Sequence, residues 1–165
     1  MKTITTLILL ALCASAQGRL NETREQCAER YGAPLKESAD KTVASWERSG
    51  IEIMAHFYEG KCERIEYQKL TKTSSGLHEE FSKTEVQQLQ DANGAGAKWR
   101  AKFSLLDDEY GTIDESAWML YASVNRNIVF KTRGCLEREQ AKVKAQQTAK
   151  EAAEKEAAAK KLKGL

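Results

Sequence analysis

The chain has 165 residues, with 26 Lys and Arg against 24 Asp and Glu and a net charge of +2. That length carries one domain with extensions rather than two separate cores. The two signs are interspersed and no basic stripe is interleaved with aromatics, so a nucleic-acid-binding class has little to stand on.

Met1 and Lys2 open the chain with positive charge, the apolar run "ITTLILLALCA" follows, and Ala14 to Ala16 supply small residues. This is the layout of a secretory signal peptide over residues 1–16, with cleavage between Ala16 and Gln17. The apolar run falls short of the ~20 residues of a spanning helix, and no later segment is apolar enough to cross a membrane. Lipid attachment at Cys13 is disfavoured because bulky Leu12 precedes it. The expected location is secreted or periplasmic, and the mature chain keeps Cys27, Cys62 and Cys135. Asn21-Glu22-Thr23 fits the N-glycosylation pattern, which has meaning only in a eukaryotic secretory route.

Thr23 and Gln26 are spaced as a capping box, opening a short helix that Gly32 and Pro34 stop near Tyr31. Cys27 and Tyr31 share one face of it. From Thr42 to Lys69, Ser49-Gly50 and Glu59-Gly60 punctuate three runs of period-two character, a β-meander. A two-residue turn at Ser49-Gly50 sets Trp46 opposite Ile53. A three-residue loop at Tyr58-Glu59-Gly60 sets Phe57 opposite Lys61, Ile53 opposite Ile65 and Ile51 opposite Tyr67. These registers gather Trp46, Ile53, Phe57, Ile65 and Tyr67 on one face and leave Met54, His56, Cys62 and Arg64 on the other.

Residues 71–80 read as a polar loop. Ser82 and Glu85 form a second capping box, opening a helix that Asn93-Gly94 ends. Trp99, Ala101, Phe103 and Leu105 alternate as a strand. Asp107 to Glu115 reads as an acidic loop, and "SAWMLYASV" and "NIVFKT" flank Asn125-Arg126-Asn127 as a second hairpin. The expected fold is α+β: a small antiparallel sheet of about six strands with two short helices, one globular domain over 17–135. Beyond it, residues 136–165 are nearly all Ala, Lys, Glu and Gln, a long charged helix or solvated spacer. Leu136 and Val143 are seven apart, but no apolar seam continues, so a coiled coil is the lesser reading.

Catalytic constellations are sparse. Cys27 or Cys62 as a thiol nucleophile would need a cationic partner, with His56 and His78 the candidate bases, yet Cys27 lies inside its helix rather than at its electropositive end. His56 and Cys62 make half a zinc site at best. The run Asp107, Asp108, Glu109 lacks the spacing of a calcium loop. No metal or cofactor is therefore expected. Trp46, Trp99 and Trp118 invite a carbohydrate-binding reading, but each lies in an alternating apolar strand and suits a core.

A disulfide fits an exported chain better. Cys27 with Cys62 is the favoured pair, tying the first helix to the meander and contributing ~3–4 kcal/mol by loop closure. Cys135 is then the candidate free thiol. The register above, which points Cys62 away from the apolar face, stands against this pairing unless the first helix covers the His56/Cys62 face, or wraps the sheet edge, or the hairpin slips by one residue.

"TREQCAERYGAP", then a tryptophan strand, then "HFYEGKCERIEY" resembles the small periplasmic module of outer-membrane-assembly lipoproteins of the SmpA/OmlA type and of β-lactamase-inhibitor-like proteins. It also resembles uncharacterised secreted bacterial proteins of similar layout. The resemblance covers Thr23 to Tyr67. It implies a non-enzymatic, protein-binding scaffold of the envelope, whose partner is another envelope or secreted protein. The chain departs from it by its Ala/Lys/Glu tail and by having no convincing lipid-attachment cysteine. The alternatives are a thiol enzyme and a sugar-binding module.

Overall fold

In the computed structural model, residues 19–103, 108–122 and 124–163 are described. The leader, Cys13 and the Ala16–Gln17 cleavage point lie outside these residues, as do Leu105 and Asp107. Helix α1 (Arg24–Tyr31) starts at Thr23, whose hydroxyl accepts from Gln26 N while the Gln26 side chain accepts from Thr23 N. Four strands follow: β1 (Lys36–Glu37), β2 (Val43–Arg48), β3 (Ile51–Tyr58) and β4 (Lys61–Lys69). Helix α2 (Lys83–Asn93) repeats the device with Ser82 and Glu85. Then come β5 (Trp99–Lys102), β6 (Asp108–Thr112), β7 (Ala117–Ala122) and β8 (Asn127–Thr132). Each cap satisfies orphan backbone donors and contributes about 1 kcal/mol.

The strands form one eight-stranded antiparallel sheet in the order β1-β2-β3-β4-β8-β7-β6-β5. The second half therefore repeats the helix-then-four-strands order of the first, and the halves meet where β4 pairs with β8. This corrects the expectation of about six strands, while the two short helices before the tail are as expected. The additional strands are β1, too short to show periodicity, and β6, which lies in the stretch read as an acidic loop. Its Tyr110 and Thr112 turn inward between Glu109 and Gly111, and Thr112 is wholly buried. The alternation is there, hidden by the acids Asp108 and Glu109 that open the strand.

The core lies between the sheet and helices α1 and α2. One row of paired residues runs Ala44, Ala55, Ile65, Phe130, Met119 and Tyr110. A second runs Trp46, Ile53, Tyr67, Ile128 and Tyr121. Tyr31 of α1 lies against Trp46, ring centroids 5.5 Å apart, and Trp46 Nε1 donates to Gly32 O at 2.9 Å. Asn93 Nδ2 of α2 reaches the Tyr67 hydroxyl.

The Ser49-Gly50 turn gives the expected Trp46–Ile53 pair. The next hairpin is corrected. Glu59 and Gly60, both at positive φ, make a two-residue turn with Tyr58 opposite Lys61, so Phe57 meets Cys62 instead of Lys61. Ile53 meets Tyr67 and Ile51 meets Lys69, because an irregularity after His56 absorbs one further residue of β4. The first shift turns Cys62 into the core, and the second restores Ile65 and Tyr67 to the face they were expected on.

The chain from Arg133 forms a second compact unit, helix α3 (Arg133–Lys163). It begins before the expected boundary at Leu136. Residues 140–155 are exposed on every side of it, so the helix there is carried by the propensity of Ala, Lys, Glu and Gln.

Candidate functional site

Cys27 and Cys62 both enter the core, each 0% exposed. The entry segment before α1 is tied to the strand that carries Cys62: Asn21 N donates to Cys62 O, Cys62 N donates to Glu22 O, and Thr23 bridges to Lys61. No disulfide is present among the described residues. Burial pushes the Cys27 thiol from 9.0 up to about 12, and the Glu22 carboxylate adds to the effect. Sγ lies 4.0 Å from Glu22 Oε2. Arg30 is the cation that would favour a thiolate, but its guanidinium is held by that carboxylate at 2.5 and 3.3 Å. A nucleophile needs the reverse arrangement. Cys135, in α3, lies 3.9 Å from Glu139 Oε1.

Neither candidate base is placed to serve Cys27. His56 points to the sheet face away from α1, and His78 Nδ1 is held 2.5 Å from Lys69 O in the loop before α2. His56 and Cys62, considered together as zinc ligands, lie on opposite faces of the sheet. Glu109 sits in β6, where it accepts from Trp118 Nε1 at 2.7 Å. The expectation that all three tryptophans serve the core is met by two. Trp46 is buried, and Trp99 packs edge-on against Phe130 with Nε1 donating to Gln90 O. Trp118 lies on the opposite face, half-buried beneath Lys102, whose Nζ stands 3.7 Å over the ring.

That opposite, outer face carries no side chain of α1 or α2 in the contacts above, and the pairing register sets its residues in rows. One row crosses all eight strands through Lys36, Ser45, Met54, Glu66, Val129, Leu120, Glu109 and Lys102. The adjacent row crosses seven, through Val43, His56, Arg64, Lys131, Trp118, Gly111 and Arg100. Between the rows, Glu66 receives His56 Nε2 at 3.1 Å and Arg64 Nη2 at 2.9 Å, and Asn127 Nδ2 reaches its other oxygen. The imidazole first, and the Arg64 guanidinium after it, hold the Glu66 carboxyl below the usual carboxylate range. Met54, Leu120 and Trp118 are half-buried beside this network. The face thus presents apolar and aromatic surface framed by polar groups already fixed in place.

At the end of the sheet, Gln68, Leu77, His78, Val124, Asn125 and Asn127 line an open groove of about 430 Å³. Gln68 Nε2 donates to Asn125 O there, and Arg126 ties the groove's rim by donating to His78 O and pairing with Glu80.

The sequence missed the outer-face rows because their members come from strands far apart in the chain. The one local signal was the alternation Met54, His56 in β3 against the core residues between them. The chain matches no known family, no curated protein and no solved structure.

Proposed function

We propose that this protein is a non-enzymatic, exported interaction domain that docks another protein on the outer face of its sheet, with α3 as a spacer or second docking element. The observation that carries the reading is the half-buried set of Met54, Leu120 and Trp118 on the outer sheet face, next to Glu66, whose donors from β3, β4 and β8 are already engaged. Interfaces draw their energy from a few aromatic and apolar anchors surrounded by satisfied polar groups. Side chains ordered before binding lose less entropy on association. The resemblance of Thr23 to Tyr67 to the envelope module points the same way, and the leader would deliver the chain to that compartment.

Site-specific photocrosslinking in the exporting cell tests this. A photoreactive residue at position 54 or 120 is expected to give a discrete protein adduct. One at exposed Glu29, on the outer surface of α1, is expected to give none. Equal adducts from all three positions, or none from any, would sink the reading.

A further inference from the structure

The two edges of the sheet are finished differently. At one, β1 has only two residues, lies just after Pro34, and its Glu37 is paired with Arg24 of α1. A short, pinned strand is one way in which a protein blunts an edge. At the other, β5 ends the sheet with four residues and has no strand beyond it among the described residues. Its hydrogen-bonding phase is fixed by Ile113 N, which donates to Lys98 O at 2.9 Å and extends the register of Trp99 with Thr112 and Arg100 with Gly111. Bonded and non-bonded pairs alternate along an antiparallel ladder, so Arg100 and Lys102 turn their backbone groups to β6. Trp99 and Ala101 turn theirs outward, where neither has a main-chain partner among the described residues.

The side chains sharpen this contrast. Trp99 packs on the core side against Phe130, and period-two alternation assigns Ala101 and then Phe103 to that same inner side. Yet Ala101 is exposed, and Phe103 at the end of β5 is 89% exposed. An apolar strip therefore runs along open backbone groups. On the outer side Arg100 is paired with Glu115 at 3.7 Å and Lys102 stands over the Trp118 ring, so neither is left over to attract a charged ligand. These bases act instead against self-association. Each two-fold pairing of β5 with a second copy, centred on Trp99, Arg100, Ala101 or Lys102, sets Arg100 or Lys102 directly opposite another base. Like charges so placed disfavour the pair.

We infer that β5 takes an extended segment of another protein as a further antiparallel strand, bound through main-chain hydrogen bonds to Trp99 and Ala101, with apolar side chains at alternate positions against Ala101 and Phe103. Strand addition of this kind draws affinity from the backbone and selectivity from alternate side chains. A segment of about five residues, ~17 Å, matches β5 with Phe103. In an antiparallel pair the residues that bond to Trp99 and Ala101 stand directly opposite them and share their face. The apolar residues of the incoming strand are therefore also its bonded ones. This edge is separate from the outer face and does not depend on it.

The test uses the mature full-length protein and a fluorescein-labelled peptide of alternating Val and Thr, about seven residues long. Two N-methylated versions are compared with it, one methylated at the Val amides and one at the Thr amides. By fluorescence anisotropy the parent peptide is expected to bind, with little change between about 50 and about 300 mM salt, because no ion pair is involved. Methylating the Val amides removes the donors that face β5 and should weaken binding at least about tenfold. Methylating the Thr amides, which face away, should change it less than about threefold. Ala101→Pro withdraws an outward donor without touching a bond to β6, as proline is tolerated where an edge N–H faces solvent. It should weaken binding at least about tenfold with the circular dichroism unchanged. If it loses that signature, Phe103→Ser is the second variant, with an expected loss of about threefold or more. No binding of the parent peptide, equal effects of the two methylations, loss with the Thr version alone, or undiminished binding by a folded variant would each overturn the inference. So would a concentration-dependent dimer abolished by Ala101→Pro, which would make a second copy the occupant. Crosslinking from positions 54 and 120 is read separately, so failure of this edge leaves the outer face standing.

Discussion

A thiol enzyme and a buried structural thiol differ most sharply at Cys27, and alkylation kinetics distinguish them. The shift of the Cys27 pKa from 9.0 to about 12 lowers its thiolate fraction at pH 8 about a thousandfold relative to the unfolded chain. Its 0% exposure removes a further factor, because reagent reaches the sulfur only when α1 opens locally. The reduced native protein is treated with iodoacetamide at pH 8, and each cysteine is followed by peptide mass spectrometry, with the denatured chain as reference. Cys27 is expected to react at least about a thousandfold more slowly in the native than in the denatured protein. Half-buried Cys135 should be modified within the native fold. Omitting reductant adds a second readout: a Cys27–Cys62 bridge would leave both peptides unmodified even after denaturation. Native-state modification of Cys27 at the denatured rate would refute the account of its burial and reopen nucleophilic chemistry at this site.

Two further outcomes follow from the core. Phe130 is wholly buried at the junction of the halves, with the rings of Tyr67 and Trp99 edge-on to it at 5.9 and 5.6 Å. Phe130→Ala should lower unfolding free energy by about 3–5 kcal/mol in urea titration, and a loss below about 1 kcal/mol would contradict the packing described. The second concerns alkaline pH. Burial raises the ionisation of Cys27, Tyr31 and Tyr67 above their ordinary ranges. The folded state then binds more protons than the unfolded state once pH passes the unfolded pKa values of about 9–10, so stability falls with rising pH. The contribution of these groups is intact below that range. The urea midpoint should decline from about pH 8 to about pH 11, and less steeply in Tyr31→Phe; a flat or rising midpoint would show the shifts to be absent.

Features written in adjacent residues were legible from the sequence. Both helix starts are capping boxes whose donors and acceptors lie within three residues, so local chemistry alone specifies Thr23–Gln26 and Ser82–Glu85. The Ser49-Gly50 turn set one register because its two residues fit a twist-matched hairpin. The second hairpin was not decidable that way. A two-residue turn with a bulge and a three-residue loop place Ile65 and Tyr67 on the same face; they differ in the cross-strand partners of β3 and in where Cys62 points. Packing against α1 and the entry segment selects the arrangement that buries the thiol. β6 was lost because its acids dominate the composition while Tyr110 and Thr112 carry the pattern.

By itself the sequence determined an α+β domain with capped helices, a meander and a charged helical tail, since each depends on contacts between near neighbours. Only the tertiary structure decided that the two halves join through β4 and β8. That junction lines up His56, Arg64, Lys131, Trp118 and Arg100 from five strands. Residues 56, 64, 100, 118 and 131 share no periodicity along the chain. They become neighbours because hydrogen-bonded register, not sequence spacing, fixes which side chains stand side by side on a sheet.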